Sequence, residues 1–162
     1  MVAKLSGAAV SWISQRQPNV ALSSTEAEYI ASCEAAREIH WLRQLLQHLG
    51  VPQPEPTPLF VDNTSAILMM NQQGYSSRRK HIRVKYHYVQ EQVAEKQIQP
   101  IWVATEEQEA DVFTKPLDRD SFAKLRDLIS GHLHRGPLAV KKQSASAALK
   151  ANPKAKTNAQ AN

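Results

Sequence analysis

Glu28, Asp62 and Asp111 are the side chains of this 162-residue sequence whose types and places could do chemistry. Glu28 lies in the first turns of a long helical pattern. Asp62 closes a short apolar run, immediately before another helical pattern. Asp111 begins a helical stretch that follows the last strand-like run. Carboxylates gathered at one sheet edge offer hard oxygen ligands, which suit Mg²⁺ or Mn²⁺. Two such ions about 3.5–4 Å apart can activate a water and stabilise the leaving oxygen in phosphodiester hydrolysis.

Each acid also has a plainer role. "SSTE" is a capping box, with Ser23 at the cap and Glu26 reaching back. "TEAE" offers the same pairing to Thr25 and Glu28. Acids early in a helix also suit its dipole. Asp62 could cap the helix that follows it, and Asp111 could be a solvated helix acid. Spacing alone leaves these alternatives open.

The elements that must position these acids can be read in order. "AAVSWISQR" (8–16) alternates loosely and reads as a strand. A helix follows from about Ser24 to Leu49, with Ala27, Ala31, Ala35, Ile39, Leu42, Leu46 and Leu49 on one predicted face. Gly50 stands where a helix end favours a left-handed residue. "VPQPEPTP" holds four prolines and must be extended. "LFVDN" (59–63) reads as a buried strand, "TSAILMMNQQ" as a short helix, and residues 81–97 as a helix. "IQPIWVAT" (98–105) is the next strand. A short helix, a break at Pro116 and a final helix from about Arg119 to Ser130 complete the pattern. Strands alternating with helices predict an α/β domain with parallel pairing. Right-handed crossovers would bring the strand ends to one edge.

"SSRRKHIRVKYHY" (76–88) concentrates Arg78, Arg79, Lys80, Arg83 and Lys85 beside Tyr86 and Tyr88. Such a run could contact phosphates and stack on bases. Its alternative is a solvated helix face with the tyrosines in the core. His81 and His87 do not share a helical face, and Cys33 is the only cysteine, which argues against a structural zinc site and against any intrachain disulfide.

The net charge of +5 is unevenly placed. Residues 132–162 carry six basic side chains and no acid, leaving 14 basic and 15 acidic side chains before them. The alkaline character is therefore mostly that of a low-complexity tail, expected to be disordered. No run is long and apolar enough for a transmembrane helix, and no secretory signal is legible. These features predict an intracellular protein, cytoplasmic or nuclear, with no membrane partner.

Together, four strings carry a resemblance. "AVSWISQRQPNVALSSTEAEYIASCEAAREIHWLRQLLQHLG", "LFVDNTSAI", "RRKHIRVKYHYVQEQV" and "EADVFTKPL" resemble, in this order, the ribonuclease H domain of Ty1/copia-type LTR retrotransposon polyproteins. The resemblance covers about residues 8–130. It implies a ribonuclease H-like fold that cleaves the RNA strand of RNA–DNA hybrids using Mg²⁺ or Mn²⁺. It carries the catalytic, metal-ligating acids onto Glu28, Asp62 and Asp111, and assigns capping to Glu26. It makes Arg78, Arg79, Lys80, Arg83 and Lys85 hybrid-contacting residues. The implied partners are an RNA–DNA hybrid or other nucleic acid and the reverse transcriptase region of a parent polyprotein.

One departure bears on all of this. The family's first strand carries a further catalytic Asp, and this sequence has no Asp before Asp62. The resemblance therefore implies a partial domain over 1–131, lacking the first strand and most of the second, followed by the 132–162 tail. By resemblance the intact sheet has strand order 3-2-1-4-5, so its middle would be missing. The strand at 8–16 is then expected to move beside 58–62. That would give a small, largely parallel sheet of about three strands flanked by helices, with an under-covered apolar face. Loss of a shared ligand should weaken metal binding and leave little nuclease activity. The alternatives are a non-catalytic nucleic-acid-binding remnant or a functionless fragment of a decayed element.

Overall fold

A computed structural model of the chain describes residues 1–17, 20–72 and 88–132. Among these residues, strands β1 (Val2–Leu5) and β2 (Ala8–Trp12) form an antiparallel hairpin. Ser6 and Gly7 join them, with φ of 51° and 89°. Two consecutive positive φ values give a primed turn, whose twist matches that of the strands it connects. Helix α1 (Ser24–His48) follows. Strand β3 (Thr57–Val61), helices α2 (Thr64–Asn71) and α3 (Tyr88–Ala94) and strand β4 (Ile98–Trp102) come next. Two 3-10 turns (Thr105–Glu107 and Glu109–Phe113) lead to helix α4 (Arg119–Ile129).

Among the described residues the expected three-stranded sheet is not formed. β2 pairs with β1, and β3 pairs in parallel with β4, giving two separate two-stranded sheets. The reason is local: the Ser-Gly turn closes β1 onto β2 without any loop-closure cost from a distant strand. Val2–Leu5, to which the sequence pattern assigned no element, is a paired strand.

In the parallel pair, the Thr57 N–H donates to Gln97 O and the Val103 N–H to Val61 O. That parity turns the nitrogens of Pro58 and Pro100 away from the shared ladder. Proline has no N–H to offer, so both strands tolerate it at their outer edges. Such edges are poor templates for unwanted pairing.

The core gathers Tyr29, Ile30, Cys33, Ala36 and Ile39 of α1 with Val61, Ala66, Met70, Val89 and Ile98. This corrects the predicted α1 face. Ala31 is exposed and Leu49 is exposed, whereas Tyr29 and Ile30 are buried. Alanines on several sides of the helix give a helical period but little phase; the large side chains decide which side is covered, because burial gain scales with apolar area. Trp41, Leu45 and Leu49 step four residues apart along the open side of α1, and Val10 and Trp12 are exposed on the hairpin. The under-covered apolar surface is thus present.

Arg43 fixes the proline-rich connector. Its guanidinium donates to Gln53 O at 2.7 Å, Glu55 O and Thr57 Oγ1 at 2.9 Å each, and Gln97 Oε1 at 3.0 Å. One planar fork thereby joins α1, the connector, the start of β3 and the approach to β4. Gly50 has φ of 78° and open space where a Cβ would stand, so backbone conformation, not crowding, selects glycine there.

The basic run from Arg78 to Lys85, the first part of the predicted 81–97 helix and the tail beyond His132 lie outside the described residues.

Candidate acid cluster at the strand ends

Glu28 is placed by the start of α1. Ser23 is its N-cap and accepts the Glu26 N–H at 3.1 Å, while Glu26 Oε2 accepts the Leu22 N–H at 2.9 Å. Glu26 is therefore the capping acid, reaching one residue further back than a strict capping box. Thr25 does not cap with Glu28; its hydroxyl accepts from Asn63 Nδ2 at 3.4 Å. Glu28 is left half-buried one turn into the helix.

Asp62 follows β3 directly. It does not cap α2, because Asn63 does: Asn63 Oδ1 accepts the Ala66 N–H at 3.1 Å. Asp62 is thereby free to face the acids, and Oδ2 accepts the Thr105 hydroxyl at 3.3 Å.

Asp111 is in a 3-10 turn rather than at a helix start, and it is buried. The turn is anchored on several sides. Gln108 Nε2 donates to Phe60 O at 3.3 Å, and Ser14 Oγ to Phe113 O at 3.0 Å. Lys4 Nζ lies 3.0 Å from Glu109 Oε2 and donates to Leu128 O at 2.7 Å. Lys4 thus ties β1 to buried Glu109 of the turn and to the end of α4. Nothing local in the sequence signals that pair, whose members are 105 residues apart.

The structure brings Glu28, Asp62 and Asp111 into one electrostatic neighbourhood. Burial pushes the Glu28 carboxyl above its ordinary range, and the charges of Asp62 and Asp111 push it further. Lys115 and the ammonium of Met1 pull it the other way. Lys115 Nζ lies 2.8 Å from Asp111 Oδ2. That hydrogen bond, with the charges of Asp111, Asp62 and Glu28, holds the lysine above its usual value against the opposing effect of burial. Lys115 was not among the residues singled out in the sequence, although it stands in "EADVFTKPL".

Three carboxylates are hard donors of the kind Mg²⁺ and Mn²⁺ prefer. Among the described residues, however, no three acids, histidines or cysteines converge closely enough to hold a metal ion. Asp111 is moreover engaged by Lys115. The residues as arranged do not fit a divalent ion. At the basic run's far end, Tyr88 meets His40 edge-on at 6.2 Å between ring centroids and packs against the core, which favours the core role for that tyrosine. No helix among the described residues is long and apolar enough to cross a membrane.

No protein-family model and no solved structure matches the chain. It is 41% identical over 127 residues, 78% of its length, to the "Retrovirus-related Pol polyprotein from transposon TNT 1-94" of Nicotiana tabacum. It is 37% identical over 113 residues, 70% of its length, to the "Retrovirus-related Pol polyprotein from transposon RE1" of Arabidopsis thaliana, and equally so to that from transposon RE2. The chain spans only 8–10% of these relatives. The chain is homologous to a short region of the retrovirus-related Pol polyproteins of transposons.

Proposed function

We propose that this chain derives from the ribonuclease H domain of a Ty1/copia-type polyprotein, which cleaved the RNA of RNA–DNA hybrids by two-metal hydrolysis, and that the chain alone is a poor nuclease. One observation carries the reading. Glu28, Asp62 and Asp111 come from three separate parts of the chain, yet the charges of Asp62 and Asp111 both act on Glu28. Capping needs none of them, because Ser23, Glu26 and Asn63 do that work. Mg²⁺ or Mn²⁺ is the cofactor proposed for the ancestral site, with the three acids as ligands. The present spacing of the three acids supports the proposed weak activity of the chain alone.

The proposed partner is an RNA–DNA hybrid or another nucleic acid, contacted through Arg78, Arg79, Lys80, Arg83 and Lys85. In a parent polyprotein the neighbour would be the reverse transcriptase region. A cleavage assay on a labelled hybrid in Mg²⁺ or Mn²⁺ tests the reading. The expected result is little or no turnover. Robust turnover that Asp62→Asn abolishes would overturn the proposed inactivity.

A further inference from the structure

We infer that the β1–β2 hairpin and the two residues after it form a hinged clasp on the turn that carries Asp111, holding both ends of that turn and opening from the rest of the fold as one unit. At the first residue of the Glu109–Phe113 turn, Lys4 Nζ lies 3.0 Å from Glu109 Oε2 and also donates to Leu128 O at 2.7 Å. At its last residue, Ser14 Oγ donates to Phe113 O at 3.0 Å. Asp111 lies midway between these two anchors. Ser11 Oγ adds a further tie, donating to Glu38 Oε1 on α1 at 2.6 Å.

The clasp is held by polar ties rather than by a shared core. None of residues 1–14 is buried, and the core cluster is built from α1, α2, α3 and the parallel strands without them. The two sheets share no ladder. At the end of α4 the hairpin lies against Gly131, where an added Cβ would meet that of Ala8 at 3.2 Å. Buried apolar area is what makes docking firm, and each hydrogen bond adds little net. A region poor in such burial opens before the rest of the fold. The chain is anchored again at Gln17, whose Nε2 donates to Ala27 O on α1 at 2.8 Å. Gln15 and Arg16, both exposed, lie between Ser14 and that anchor and form the hinge. A two-stranded hairpin is marginal alone, so its amides exchange once it undocks. Undocking releases Glu109 and Phe113 together, and with them the position of Asp111.

Native-state hydrogen exchange of the full chain tests the clasp. The Ile13 N–H, which donates to Met1 O, reports on the hairpin, and the Thr114 and Lys115 N–H groups, which donate to Asp111 O, report on the turn. Cys33 and Ala36 of α1 report on the core. In the unaltered chain under low denaturant, Ile13, Thr114 and Lys115 should share one opening, populated about tenfold or more above that of Cys33 and Ala36. Hairpin and turn amides that open separately, or only together with α1, overturn the inference. Lys4→Met/Glu109→Gln removes the main tie without leaving a buried charge unpaired. It should speed exchange at Ile13, Thr114 and Lys115 by about tenfold and leave Cys33 and Ala36 unchanged. Faster exchange at Ile13 alone shows that the turn does not depend on the hairpin, and it overturns the clasp. Equal acceleration in α1, or no change anywhere, overturns it too. Should that variant fail to fold, Ser14→Ala, at an exposed residue, carries the same expectation with an effect of roughly threefold.

Discussion

Asn63 holds the starts of two helices together. Its Oδ1 caps α2 through the Ala66 N–H at 3.1 Å, and its Nδ2 donates to Thr25 Oγ1 on α1 at 3.4 Å. Asp62 and Glu28 are the acids flanking this link, so the side chain that caps one helix also sets the approach of two carboxylates. Asn63→Ala should cost about 1 kcal/mol of stability through the lost cap. Denaturant unfolding measures this directly. Thr25→Val should cost less, because it leaves the cap intact; an equal loss for both would show that the cap is not the main contribution.

Glu28 gives a pH-dependent prediction whose sign can be worked out. Its carboxyl is raised in the folded chain, first by burial and then by Asp62. Its contribution to stability is fully present below the ordinary glutamate range and is lost as pH rises through the raised value. Glu28→Gln should therefore stabilise the chain at about pH 7.5 by roughly 1 kcal/mol or less, discounted for solvent screening. The gain should vanish below about pH 4. Paired unfolding curves at the two pH values read the difference; a gain that persists in acid would contradict the electrostatic account.

Asp118 works in the opposite direction. It caps α4, accepting the N–H groups of Asp120 and Ser121 and the Ser121 hydroxyl. The hydroxyl and amide of Ser121 hold its carboxyl below the usual aspartate range. Its contribution is present above about pH 4 and is lost as pH falls through the lowered value. Asp118→Ala should lower Tm at neutral pH, with the difference from the unaltered chain narrowing in acid.

Arg43 should be the least replaceable of the exposed-to-half-buried cations. Four acceptors on three segments depend on its fork. Arg43→Ala should cost about 2–3 kcal/mol, and Arg43→Lys should recover only part of it, since an ammonium cannot reproduce the planar set. Recovery to the unaltered stability by lysine would contradict the clamp.

How far these relationships were legible varies with their range. Local chemistry read well: the Ser23–Glu26 cap, the Gly50 helix end and the proline-rich connector all depend on neighbours in sequence. The phase of α1 did not, because its many alanines leave the covered side to be chosen by Tyr29 and Ile30 packing against α2, α3 and the parallel strands. Strand pairing was misjudged for a similar reason. The resemblance pointed to a distant partner for β2, while the Ser6–Gly7 turn supplied one next door. Within the candidate site the three acids were visible, but their cations were not. Lys4 and Lys115 acquire meaning only when the fold sets them against Glu109 and Asp111.

The central claim, descent of this chain from a ribonuclease H domain, is tested most directly by adding a further acid. A strand bearing one Asp, joined ahead of Met1, should pair into the fold and produce Mg²⁺-dependent cleavage of an RNA–DNA hybrid. That activity should disappear with Asp62→Asn. A folded fusion that binds Mn²⁺ and hybrid yet cleaves nothing would contradict the account.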